Sequence, residues 1–187
     1  MDFTLEINQA TEVLQNGGLI LYPTDTVWAI GCDATNERAV KKVLDLKRID
    51  SKGLICLVSN DAMLERHVEQ VPDLAYDIMD LASRPTTIVY DNPKGIASNV
   101  MAKDNTLAIR VASDKFCQYL IGKYKKPIVA TSANLAGQKT PINFKEIDAA
   151  ILSGVDYVVN LKPENQNAVP TSIIKLGMDG LVKVIRE

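Results

Sequence analysis

Gly17-Gly-Leu-Ile-Leu-Tyr-Pro-Thr-Asp-Thr-Val-Trp-Ala-Ile-Gly31 is the stretch from which the fold can be read. Gly18–Tyr22 is a short apolar run, opened by a glycine pair and closed by Pro23. Pro23 lacks the N–H that ordinary ladder pairing needs, so the run predicts a short buried strand ending there. Apolar side chains on both faces of such a strand need cover on both sides. A helix predicted over roughly Ile7–Gln15 precedes it, and another over Glu37–Lys47 follows. In the second, Ala39, Val40, Val43, Leu44 and Leu46 fall mostly on one face. Beyond Pro23, the polar side chains of Thr24, Asp25 and Thr26 stand at a strand end, where α/β sheets bind ligands. A hydroxyl- or carboxylate-capped turn accounts for the same residues and is the commoner use of them.

The pattern repeats outward. Strands are predicted at Gly53–Val58, Thr86–Tyr90, Thr106–Val111, Pro127–Thr131, Tyr157–Asn160, Ser172–Leu176 and Leu181–Ile185. Helices are predicted near Asp61–His67, Asp73–Leu81, Lys115–Gly122 (with Gly122 as C-terminal cap) and Phe144–Leu152, the last ended by Gly154. Strands and helices intermingle, which gives an α/β class with a twisted, mostly open mixed sheet and flanking helices. The 187 residues fit one domain, 1–187, with 47% hydrophobic and 24% charged residues. Disorder, collagen-like repeats and a continuous coiled coil are excluded for the whole chain. No apolar run reaches the roughly 18 residues of a membrane span. The polar, acidic start Met1–Ala10 is unlike a targeting segment, so a cytoplasmic location is expected.

The formal net charge of −2 speaks against a nucleic-acid coat protein, though not against a local basic patch. The three cysteines, Cys32, Cys56 and Cys117, form no CxxC and read as reduced, small buried hydrophobes. His67 is the single histidine, which excludes multi-histidine metal sites; on a surface helix it reads as solvated, and no metal site is expected. Neither GxxxxGK[ST] nor GxGxxG occurs, so any nucleotide phosphates must be held by side chains and other loops. Lys47-Arg48, with Lys52 beyond, either compensates a helix C-terminus or neutralises a polyphosphate. Arg110, inside Leu107-Ala-Ile-Arg-Val111, either faces solvent or points into a polar site. Thr131-Ser-Ala-Asn-Leu-Ala-Gly137 reads as a strand-to-loop turn with Gly137 at positive φ, or as a ligand-contacting loop. Pro170-Thr-Ser172 places hydroxyls at a strand start, and Arg186 follows the last apolar strand. Asp91–Asn105 and Lys162–Ala168 are long polar loops of the kind that often carry function.

Taken in order, the blocks GGLILYPTDTVWAIGCDA, LKRIDSKGLI, TLAIRV, PIVATSANLAG, PTSII and VIR resemble the YrdC-like family of threonylcarbamoyl-AMP synthases, over about Ile7–Arg186. The resemblance is to single-domain members. It implies a YrdC-like fold with a concave electropositive face. It implies an enzyme that makes L-threonylcarbamoyladenylate and pyrophosphate from L-threonine, bicarbonate or CO2, and ATP accompanied by Mg²⁺. A partner transferase complex would then modify adenosine 37 of tRNAs.

By resemblance, Lys47, Arg48 and Lys52 face the phosphates and carry catalysis. Thr106, Ser132, Asn134, Thr140 and Arg186 contact ATP. Thr24, Arg110, Ala130, Thr171 and Ser172 contact threonine, with Arg110 suited to clamp its carboxylate. The chain departs from the family pattern at Lys47-Arg48-Ile49, one residue shorter than Lys-x-Arg-Pro, which leaves Arg48 and Lys52 as alternatives for the second cation. It also departs at Arg84, where the family has Gly, at the reversed Thr171-Ser172, and at Trp28 in place of Tyr or Phe. Lys162–Ala168 is a candidate lid. Two other functions are compatible with the same blocks: a non-catalytic double-stranded RNA- or tRNA-binding module using Lys123, Lys125 and Lys126, and a carbamoyl-transfer role like that of YrdC-like domains in hydrogenase maturation.

Overall fold

The computed structural model describes residues 3–49, 53–161 and 171–186. Its helices are α1 (Thr4–Gln15), α2 (Glu37–Lys47), α3 (Asp61–His67), α4 (Asp73–Leu81), α5 (Lys115–Tyr124) and α6 (Ala149–Gly154). Its strands are β1 (Ile20–Pro23), β2 (Trp28–Gly31), β3 (Ile55–Val58), β4 (Thr86–Asp91), β5 (Thr106–Val111), β6 (Ile128–Val129), β7 (Thr131–Ser132), β8 (Tyr157–Val158), β9 (Ser172–Leu176) and β10 (Val182–Arg186). They form two mixed sheets, in the orders β7-β2-β1-β8 and β10-β9-β4-β5-β3-β6. The mixed α/β class with flanking helices is as expected, but the sheet is divided in two.

The division comes from two local events. The stretch Gly17–Gly31 folds as a hairpin: β1 ends at Pro23 and returns as β2, with Pro23 opposite Trp28 at the turn. The return strand was not among the predicted ones. Then Pro127–Thr131, read as one strand, breaks at Ala130. β6 pairs with β3 in the large sheet, and β7 pairs with β2 in the small one. The Ala130 N–H donates to the Ile55 carbonyl and the Val129 N–H to that of Cys32, so the crossing peptides keep their hydrogen bonds.

Local chemistry sets the helix ends. Asn36 caps α2, its side chain accepting from the N–H groups of Arg38 and Ala39. Ala39, Val40 and Val43 form the buried face of α2, and Arg48 ends it in the left-handed region at φ 57°. Asp114 caps α5, which runs two residues past Gly122 to a left-handed Lys125 at φ 66°. Gly122 is therefore inside the helix, and the left-handed end falls on Lys125 instead. The segment predicted as one helix from Phe144 is a 3₁₀ turn, Phe144–Glu146, followed by α6, because the Asp148 side chain accepts from the Ala150 N–H and starts a new helix.

The core is continuous beneath both sheets. Ile20, Leu21, Tyr22, Ile30, Leu57, Ile88, Leu107 and Leu120 are fully buried. Each such side chain contributes about 1.5–3 kcal/mol of burial free energy before entropy is counted. Cys32, Cys56 and Cys117 are buried within it as free thiols, and burial raises all three thiol pKa values. No helix among the described residues is long and apolar enough to cross a membrane.

Candidate functional site

The two sheets meet along a cleft of about 510 Å³. Its floor comes from the large sheet. On β5, Thr106, Ala108 and Arg110 face the cleft while Leu107 and Ile109 enter the core, as the two-residue period of a strand requires. Ile55, Val89, Ile173 and Lys175 extend the floor across β3, β4 and β9, and Ile185 and Arg186 of β10 close one end. The opposite wall comes from the β1–β2 turn, with Thr24, Thr26 and Val27, and from Ala130, Thr131, Ser132 and Thr140.

Thr24-Asp25-Thr26 forms the capped turn of its two readings, and Thr24 and Thr26 also line the cleft. Thr24 Oγ1 accepts from the N–H groups of Thr26 and Val27 and donates to the Val27 carbonyl at 2.8 Å, an ordinary hydroxyl-capped turn. The same turn delivers Asp25 to Arg110. Asp25 Oδ1 lies 2.6 Å from Arg110 Nη1, with the two side chains only 11% and 4% exposed. Arg110 Nη1 also donates to Thr26 Oγ1 at 3.4 Å, and Ser113 Oγ donates to Asp25 Oδ2. Arg110 Nε is buried with no hydrogen-bond partner among the described residues. Arg110 thus points into a polar site, the second of its two sequence readings.

At the far end, Arg186 Nε donates to the Thr171 carbonyl at 2.9 Å and its Nη2 to Thr171 Oγ1 at 3.2 Å. The Thr87 hydroxyl donates to Thr171 Oγ1 at 3.0 Å. Thr106 Oγ1 donates to Asp104 at 2.7 Å, and Lys175 Nζ lies 3.5 Å from carboxylate oxygens of both Asp91 and Asp104. The Thr106 hydroxyl and the Lys175 contact hold the Asp104 carboxyl below its usual range.

Of the residues singled out in the sequence, Thr24, Thr106, Arg110, Ala130, Ser132, Thr140, Thr171 and Arg186 line this one cleft. Lys47, Arg48, Asn134 and Ser172 do not. Lys47 is 5% exposed, and its ammonium donates to the carbonyls of Ser132 and of Asn134, the latter at 2.8 Å, holding the cleft wall from behind. Burial pulls its pKa down to about 8. Arg48 is exposed at the end of α2. The Asn134 side chain is turned inward, donating to the carbonyls of Leu135 and Gln138, and so shapes the loop around Gly137, whose φ is 75° as expected. Ser172 begins β9, paired with Thr86. Lys52 and Lys162–Ala168 lie outside the described residues.

Sequence reading missed Asp104 and Lys175. Lys175 carries the signal that flagged Arg110, a cation inside the apolar strand Ile173-Ile174-Lys175-Leu176. His67 is half-buried at the end of α3, its Nδ1 3.1 Å from the Lys94 carbonyl and remote from the cleft, with its pKa lowered mainly by burial. In the basic run, Lys123 is bound to Asn8 and Lys126 to Asp33.

Comparison with known proteins places the family and the fold. The family model Sua5/YciO/YrdC, described as Telomere recombination, matches residues 12–187. A threonylcarbamoyl-AMP synthase of Pseudoalteromonas translucida is 34% identical over 180 residues, 94% of this chain and 95% of that protein. The crystal structure of E. coli YciO superposes with a TM-score of 0.82 at 26% identity, covering 97% of this chain and 88% of that one. P. abyssi Sua5 complexed with L-threonine superposes with a TM-score of 0.82 at 24% identity; the match covers 91% of this chain and half of that one.

Proposed function

The chain belongs to the Sua5/YciO/YrdC family, and from that premise we propose that it is a threonylcarbamoyl-AMP synthase. It joins L-threonine, bicarbonate or CO2, and ATP into L-threonylcarbamoyladenylate, releases pyrophosphate, and hands the adenylate to a transferase that modifies adenosine 37 of tRNAs. The observation that carries the reading is the cleft itself. One cavity gathers a buried guanidinium, a row of small hydroxyls and a second guanidinium at the far end.

Threonine's amine takes up CO2 as a carbamate. A carbamate oxygen then attacks the α-phosphorus in line, and the bond to pyrophosphate breaks. No protein nucleophile is required, so the chain's part is positioning and charge stabilisation. Arg110 receives the amino-acid carboxylate, with Thr24 and Ala130 on the facing wall; Thr171 stands with Arg186 at the far end, and Ser172 lies off the cleft. Thr106, Ser132, Thr140 and Arg186 belong to the nucleotide end, while Asn134 acts on the loop behind it rather than on the ligand. Mg²⁺ enters with the triphosphate as part of the substrate. Lys47 reaches the phosphates by exchanging the Ser132 and Asn134 carbonyls for phosphate oxygens; Arg48, exposed at the end of α2, lies off the cleft.

The RNA-binding alternative is weakened, because Lys123 and Lys126 are spent on Asn8 and Asp33. The test is an ATP–pyrophosphate assay on the purified chain. Pyrophosphate and the adenylate should form only when threonine and bicarbonate are both present. Pyrophosphate release that ignores threonine would overturn the assignment.

A further inference from the structure

We propose that Asp25 is a positioning and selectivity residue that acts through Arg110, and that it keeps the threonine end of the cleft from taking phosphate. The inference rests on the functional reading above. Two anionic chemistries share the cleft, an amino-acid carboxylate and a polyphosphate, and a bare guanidinium serves both well. Something must bias Arg110 toward the carboxylate.

Asp25 is placed to do so. It is the middle residue of a turn locked by Thr24 Oγ1, so its backbone is fixed by the hairpin. Its Oδ1 meets Arg110 Nη1 at 2.6 Å with both side chains nearly out of solvent, and Ser113 holds Oδ2. With Nη1 held there and by Thr26 Oγ1, the guanidinium plane is set and its Nε has no hydrogen-bond partner among the described residues. Asp114, the cap of α5, adds a second carboxyl nearby; its pKa is raised, chiefly by burial and further by the charge of Asp25.

The electrostatic consequence depends on the guest. The Arg110–Asp25 pair is net neutral, so a polyanion gains no net attraction and meets the Asp25 charge at close range. That repulsion scales with the charge of the guest. A zwitterionic amino acid carries both signs, and its carboxylate uses the oriented donors without the penalty. Asp25 therefore trades raw anion affinity for discrimination.

The test is equilibrium binding of L-threonine and of inorganic pyrophosphate, by calorimetry, to the intact chain and to Asp25→Asn and Ser113→Ala, with pyrophosphate also titrated in competition with threonine. Asp25→Asn should shift the ratio of threonine to pyrophosphate affinity by about tenfold toward pyrophosphate, and pyrophosphate should now displace threonine. Ser113→Ala, an exposed change that leaves the ion pair in place, should move the ratio the same way by roughly two- to threefold. A ratio unchanged in both variants, or equal weakening of both ligands, would make Asp25 a structural residue only and overturn this inference while leaving the enzymatic reading intact. An intact chain that binds no threonine would remove both.

Discussion

At the residue scale, Lys47 and Arg110 show how differently two buried cations can be used. Arg110 has an acidic partner at 2.6 Å, whereas the partners of Lys47 among the described residues are carbonyls, those of Ser132 and Asn134. Burial is what brings the Lys47 pKa from 10.5 down to about 8. The unfolded chain keeps this proton up to the ordinary lysine range, while the folded chain gives it up near 8. Between those values the unfolded state binds more protons, so Lys47 makes stability rise with pH in that window. Urea denaturation of the intact chain and of Lys47→Met should therefore diverge between pH 7.5 and 9.5, the difference moving in favour of the intact chain by roughly 1 kcal/mol or more. A difference that stays flat would mean that the two carbonyls hold the ammonium charged. The sequence marked both residues by type, a cation in or beside an apolar run. It could not show which cation would meet a carboxylate, because Asp25 and Arg110 lie 85 positions apart and only the hairpin turn brings them together.

At the element scale, the hairpin β1–β2 is the part the sequence half revealed. Its first strand, its turn residues and its stop at Pro23 follow from local chemistry. Its second strand, Trp28–Gly31, is too short to show a period of its own, and its pairing with β7 depends on residues about 100 positions later. Gly31 is there because of that packing. A Cβ on Gly31 would sit 2.6 Å from the Tyr22 ring and 2.9 Å from the Val129 carbonyl oxygen, both fully buried and neither free to withdraw. Tyr22 is further fixed by its hydroxyl, which donates to that same carbonyl at 3.1 Å. Gly31→Ala should cost about 1–3 kcal/mol by overpacking, seen as a fall in Tm of roughly 2–10 °C. A variant that melts with the parent chain would show that the two sheets have slack where they meet.

At the scale of the whole molecule, the cleft exists because Ala130 passes the chain from one sheet to the other and β10 returns beside β9 to close the far end. Arg186 belongs to that closure. It is exposed and its bonds go to Thr171, so its removal should spare the fold. Arg186→Ala is expected to raise the KM for ATP about tenfold, with the threonine KM unchanged and Tm within about 2 °C of the parent chain. A matching rise in both KM values would place Arg186 outside the nucleotide end. Hydrophobic period, caps and breakers along the sequence by themselves determined the α/β class, nearly every helix span and the residue types that would carry chemistry, because those signals act over a few neighbouring positions. The tertiary structure alone decided that the strands form two sheets, that Arg110 faces Asp25 while Lys47 turns to backbone carbonyls, and that Arg48 stays outside. Those outcomes are set by pairings between distant segments, whose free energy comes from burial and desolvation that no single stretch of sequence contains.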